Sequence, residues 1–325
     1  MKNSRSNWIL AIGIVIVLPV TIYFLLWRVK HESPQKYAWV APDSSTIPLT
    51  AEGAQIRYGK SLFGNTSYYL GPKGIVAKIS NGMNCQNCHL DAGARNFANC
   101  LSAVASTYPK YRTRSGHNES VEFRINECLE RSLNGEKLDS LSREMRALVA
   151  YLRWLGKDVP RNIVPAGAGV PEISFLDRAA DTVRGRSIYA AKCITCHGIN
   201  GAGVRNPDSS GFVYPPLWGP DSYNISAGLF RLSRFASFIS CNMPFGTASH
   251  AKPQLSHEEC WDLAAYVNSQ ARPDRKFPYD WPDIKNKPAD YPFGPYADAF
   301  SEAVHKFGPW GPIKEAKRLA ASISK

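Results

Sequence analysis

The stretch NCQNCHLDAG, residues 84–93, holds Cys85, Cys88 and His89 in the spacing C-x-x-C-H, and the spacing recurs as CITCH at Cys193, Cys196 and His197. Two thiols three residues apart can form thioethers with the two vinyl groups of one porphyrin, while the adjacent histidine reaches its iron. A C-x-x-C metal or redox site is the rival reading, but it does not require a histidine in both copies. Each copy is therefore expected to attach one haem c covalently, through Cys85 and Cys88 or through Cys193 and Cys196. His89 and His197 are then the first axial ligands.

The sequence around the two motifs repeats as well. YGKSLF (58–63) and RGRSIY (184–189) precede them; LSREMRALVAYLRWLG (141–156) and LSHEECWDLAAYVNSQ (255–270) follow, with amphipathic periodicity and acidic first turns. The chain reads as an internal duplication of a small helical haem domain. The expected fold is mainly α, with two tandem class-I-like cytochrome c domains at 51–160 and 172–273. The Gly- and Pro-containing segment 161–171 reads as a linker. Residues 274–325, rich in Pro and aromatics and helical only over the last dozen residues, read as an irregular C-terminal wrap.

From Trp8 to Trp27 the chain carries no charge, and as a helix those residues would span about 30 Å. Residues 1–30 are accordingly expected to form a cytoplasmic end and a single transmembrane anchor, with 31–50 as linker. Covalent haem attachment then places the remainder on the periplasmic side of a bacterial inner membrane. A cleaved signal peptide is the competing reading, although the apolar run ends in LLWRVKHES rather than in small residues. The net charge of +12 over 325 residues is dispersed, and no nucleic-acid motif accompanies it. A small anionic substrate or an acidic protein partner accounts for it more simply than nucleic acid does.

A haem of this type usually takes a second axial ligand. In the C-terminal half, Met243 lies in NMPFG before the last helix, where a thioether commonly completes the coordination. Asn242 beside it is a competing donor. Met243 precedes Tyr266 by 23 residues, and counting back 23 from the matching Tyr151 lands on Cys128. Met83, Met145, His117 and above all Cys100 are alternatives. Ser120 as N-cap and NGE from Asn134 as stop predict a helix of about fourteen residues around Cys128. At 100° per residue, Arg124, Arg131 and Ser132 fall within about 60° of Cys128, whereas Glu119, Glu122, Glu127 and Glu130 lie about 100° or more away. Arg112 and Arg114 stand just upstream. A thiolate would lower the potential of its haem and a thioether raise it. Of the remaining cysteines, Cys241 and Cys260 are the expected disulfide pair, which would tie the Met243 loop to the last helix.

NCQNCHLDAG, YPKYRTRSG, RINECLERSLNG, RALVAYLRWL, NMPFG and KPADYPFGPYADAFSEAVHKFGPWGPI together resemble the dihaem tetrathionate-forming thiosulfate dehydrogenases, from about Ala51 to Ile313. The resemblance implies oxidative coupling of two thiosulfates to tetrathionate, a reaction some relatives run in reverse. It implies that the haem held by His89 and Cys128 is catalytic and that Arg114, Arg124 and Ser132 line the substrate site. The haem held by His197 and Met243 would exchange electrons with an external partner, such as a small cytochrome c or a quinol-linked membrane complex. The alternative is a membrane-anchored dihaem electron carrier or oxidase subunit with no substrate chemistry. That reading predicts thioether or imidazole at both distal positions and no arginine cluster.

Overall fold

Two crossed pairs of helices carry the architecture of the computed structural model, which describes residues 37–323. In the first, Ala51–Gly64 packs on Arg143–Leu155; in the second, Thr182–Lys192 packs on His257–Ser269. Short polar side chains start all four. Thr50, Ser142 and Ser256 each accept from the backbone N–H three residues on, and Asp181 accepts from Val183 and Arg184. Ser256 and Glu259 complete a reciprocal capping box. Both crossings use a glycine, because the opposing backbone lies where a side chain would be. A Cβ on Gly59 would stand 1.9 Å from the carbonyl oxygen of Ala147, and one on Gly185 would stand 2.0 Å from that of Asp262. Tyr151 and Tyr266 lie beside the same glycines, so the duplication read from the sequence holds at the level of packing.

The two halves meet directly. The Asn224 side-chain amide donates to the carbonyl of Glu130 at 2.8 Å, and its backbone N–H donates to the carbonyl of Arg131 at 3.1 Å. These are terminal carbonyls of the helix Val121–Arg131, which has no intrahelical donor for them. The second half thus caps the helix that carries Cys128. The Asn242 side-chain amide donates across the same boundary to the carbonyl of Phe97 at 3.1 Å and, within its own helix, to that of Phe238 at 3.0 Å.

The segment expected as a linker lies along the first half, with Cys100 and Gly169 exchanging backbone hydrogen bonds and Ser106 donating to Ile163. The tail wraps both halves. Its Trp310 is fully buried against Trp261 (centroids 4.7 Å apart) and Phe175 (5.2 Å). Its Trp281 N–H donates to the carbonyl of Arg114 at 2.6 Å.

Several expectations need correction. The Cys128 helix ends at Arg131, because the N–H groups of Ser132 and Leu133 both turn back to the carbonyl of Cys128 and Asn134 takes a left-handed φ of 43°. YPKYRTRSG forms an antiparallel hairpin, β1 (Lys110–Arg112) with β2 (His117–Glu119), where no strand was anticipated. Cys241 and Cys260 are free thiols, not a disulfide: Cys241 faces His250 Nδ1 at 3.6 Å and Cys260 is fully buried in the core. The single-pass membrane localisation is also corrected. Among the described residues no helix is long and apolar enough to cross a membrane, and residues 8–27, on which that expectation rested, lie outside them.

Gly59→Ala is expected to destabilise the protein by about 3 kcal/mol in denaturant unfolding, because a backbone oxygen must move. Gly311→Ala, where nothing lies within 4 Å, should stay within about 1 kcal/mol of the parent.

Candidate functional site

Two cavities adjoin the C-x-x-C-H motifs. One, about 650 Å³, is lined by Cys88, His89, Cys128 and Ser132 together with Arg114 and Arg124. The other, about 370 Å³, is lined by Cys193, Cys196, His197 and Met243 within a mostly apolar wall. Cys88, Tyr223 and Leu229 line both, so the cavities share a wall.

The donor chemistry at each motif fits a haem c. His89 Nδ1 lies 2.7 Å from the carbonyl of Asn99, and His197 Nδ1 lies 2.9 Å from that of Pro215. A carbonyl only accepts, so Nδ1 carries the hydrogen and Nε2 presents its lone pair to a metal. Burial pushes the thiols of Cys85 and Cys88 up to about 12 and that of Cys193 to about 11. That is opposite to what a thiolate metal site or redox pair requires. Among the described residues no group of three or more His, Cys, Asp or Glu side chains could hold a metal ion by itself. Cys85 sits against Thr66, whose hydroxyl donates to its sulfur at 3.3 Å.

Cys128 stands opposite His89, and the two side chains come within hydrogen-bonding reach. Burial pushes the Cys128 thiol up, but the guanidinium of Arg124 and the contact with His89 outweigh it and bring the thiol down to about 7. The other candidates fall away on position. Cys100 lines the same cavity but is buried, exchanges backbone bonds with Gly169, and, unlike Cys128, makes no side-chain hydrogen bond with His89. Met83 lines the other cavity, Met145 is fully buried in the core, and His117 is exposed on β2.

Glu127, buried and next to Cys128 in the chain, organises the arginines. Its carboxylate accepts from Arg114 at 2.6 Å and Arg124 at 2.7 Å, and Arg131 lies 3.2 Å away. Arg131 also grips Asp280 of the tail through two bonds of 2.6 and 2.7 Å and stacks on Phe277, so it does not line the cavity. Burial alone would raise the Glu127 pKa, but the three guanidiniums hold it at about 2. The helical wheel put Glu127 about 100° from Cys128, yet at i,i+3 from Arg124 and i,i+4 from Arg131, so both helix arginines reach it at ordinary same-face spacing while Arg114 arrives from the hairpin turn.

Beyond Arg114 and Arg124 the cavity takes in Arg112, which the sequence had placed just upstream of Cys128, and three basic residues it had not: Lys110, Arg231 and Arg234. Lys110 and Arg112 come from β1, and Arg231 and Arg234 from the start of the helix Leu232–Asn242 in the second half. Together with Arg114 and Arg124 they make six basic residues on a lining that contains no Asp or Glu. YPKYRTRSG, which pointed to Arg112, was a local signal for Lys110 as well. Nothing local points to the second pair.

Residues 76–160 match the family model described as SoxA/TsdA, cytochrome c domain, and residues 182–271 match cytochrome c. The chain is 37% identical over 245 residues to the thiosulfate dehydrogenase of Psychrobacter arcticus, covering 74% of this chain and 71% of that one. It is 34% identical over 272 residues to that of Allochromatium vinosum, covering 82% and 92%. Among solved structures it is similar to thiosulfate dehydrogenase (TsdBA) from Marichromatium purpuratum in its as-isolated form, with a TM-score of 0.69 and 30% identity. That match covers 80% of this chain and 54% of the other, so this chain spans about half the length of that structure's chain.

A carboxylate held at about 2 contributes stability that is fully present above its unfolded value near 4.5 and is lost as pH falls toward 2. Wild-type unfolding free energy should therefore drop across that window more steeply than that of Glu127→Gln, and the variant should be about 3 kcal/mol less stable at pH 7.

Proposed function

From the premise that the chain belongs to the thiosulfate dehydrogenase family and oxidises thiosulfate through two c-type haems, we propose that Cys128 is the reacting residue and tetrathionate the product. The observation that carries this reading is the placement of Cys128 opposite His89, beside Arg124, in a cavity lined by six basic residues and no carboxylate. His89 and Cys128 would hold the haem iron of the catalytic domain, 51–160, and His197 and Met243 that of the electron-transfer domain, 172–273.

When bound, the haems supply one-electron acceptors, and the pair takes up the two electrons that the coupling releases. Arg114, Arg124 and Ser132 hold the sulfonate of a first thiosulfate. Guanidinium forks suit such oxyanions, and the anchoring of both arginines on Glu127 fixes where their free N–H groups point. The Cys128 sulfur, whose low pKa leaves much of it as thiolate near neutral pH, bonds to the sulfane sulfur of that thiosulfate with loss of two electrons. A second thiosulfate attacks the same sulfane sulfur, forming the central bond of tetrathionate and returning Cys128 as thiolate. Charge and sulfur balance in both steps. No proton moves, so no general base is needed.

The shared wall of Cys88, Tyr223 and Leu229 supports direct passage of electrons from the first haem to the second. From there they leave to an external acceptor such as a small cytochrome c. The absence of Asp or Glu from the reacting cavity and the burial of its one organising carboxylate behind arginines speak against a simple carrier.

Cys128→Gly should lower thiosulfate turnover at least about a thousandfold, while a haemochrome assay still counts two haems per chain. Turnover near wild type in that variant would remove Cys128 from the reaction.

A further inference from the structure

The mechanism above provides cations for only one of the two thiosulfates. Arg114, Arg124 and Arg131 face Glu127 and Asp280, which leaves that group a single net positive charge. The sulfonate of the Cys128 adduct carries one negative charge and the incoming thiosulfate two, so at about 4 Å they repel by roughly 2 kcal/mol even in bulk water, and more where solvent is excluded. A second thiosulfate approaching the Cys128 adduct therefore needs cations of its own.

Such cations stand elsewhere on the same cavity. Arg231 is committed to the buried Asp290, which also accepts from Ser233. Arg112 and Arg234 are different. Neither makes an ion pair with any described carboxylate, both line the cavity, and the guanidinium of Arg234 lies within electrostatic range of Arg231 and Arg112. One comes from the hairpin of the first half and the other from a helix of the second. Asp290, already paired with Arg231, and Glu172 lie within electrostatic range of Arg234 but form no ion pair with it, so an arriving oxyanion meets an unpaired guanidinium.

We propose that Arg112 and Arg234 form a second oxyanion clamp, spanning the two domains, that binds the sulfonate of the second thiosulfate and hence one end of the departing tetrathionate. The proposal rests on the reading of Cys128 as carrier of the first thiosulfate. It explains why the catalytic cavity is completed by the second domain: the clamp closes only when both halves are in place. Carboxylates of the haem itself are oxyanions of the same chemistry, so the test has an arm for each source.

The experiment uses the full dihaem protein with Arg112→Gln, Arg234→Gln, Arg234→Lys and, as a net-charge control on an exposed helix face, Arg186→Gln. Steady-state oxidation of thiosulfate by ferricyanide is combined with mass spectrometry of the Cys128 adduct after one brief exposure to thiosulfate. The clamp predicts that each Gln variant raises the KM for thiosulfate about tenfold, the value of one charge-assisted contact. The adduct should form as in wild type but be discharged about tenfold more slowly by added thiosulfate, with partial recovery in Arg234→Lys and no change in Arg186→Gln. Unchanged KM and discharge would overturn the clamp. So would unchanged kinetics with a shifted midpoint potential of the N-terminal haem, which would assign the arginines to the haem carboxylates. Wild-type protein that turns over thiosulfate without any adduct on Cys128 would instead remove the parent reading and the clamp with it.

Discussion

The carboxylate of Glu127, shared among Arg114, Arg124 and Arg131, is the interaction on which the site depends. Buried alone, three guanidiniums would repel one another and a carboxylate would be forced neutral. Together they form a fixed charged cluster one residue from Cys128. The cluster joins three parts of the chain, because Arg114 arrives from the hairpin and Arg131 passes the connection on to Asp280 of the tail. The tail in turn binds the backbone of Arg114 through Trp281. The segment that looked like a loose wrap thus braces the reacting cavity from outside.

One fold, used twice, supports two environments. The helix crossings, their glycines and the histidine–carbonyl bonds are the same in both halves. What differs is the distal side. Around His197 the wall is largely apolar and includes Met243; around His89 the wall is cationic and includes Cys128. A neutral thioether beside apolar groups favours an electron store that stays unreactive, whereas a thiolate among guanidiniums favours reaction with anionic sulfur. The proposed division of labour between substrate chemistry and electron exit rests on that contrast, and the two cavities share a wall at Cys88 and Tyr223.

Much of this was legible in the sequence where the signal is local or periodic. The C-x-x-C-H spacing identifies the attachment sites, helix periodicity identifies the crossed pairs, and counting back from Tyr151 by the interval between Met243 and Tyr266 reaches Cys128. Geometry that depends on chain segments far apart was not legible. The spacing of Glu127 from Arg124 (i,i+3) and Arg131 (i,i+4) is a local pattern, but no local pattern brings Arg114 there. Arg231 and Arg234 belong to the other half of the duplication, and Asn224 caps the Cys128 helix from there as well. The Cys241–Cys260 pairing failed for a related reason: proximity of the two elements was foreseeable, whereas the direction of the Cys241 sulfur toward His250 was not.

The central claim is that the sulfur of Cys128 faces His89 across the N-terminal haem. Near-infrared magnetic circular dichroism of the fully oxidised dihaem protein tests it most directly, since axial ligand pairs give distinct ligand-to-metal bands in low-spin ferric haem. The account predicts one histidine–thiolate and one histidine–methionine haem, with the thiolate bands alone lost in Cys128→Met. Two histidine–methionine haems, or thiolate bands that survive that substitution, would contradict it.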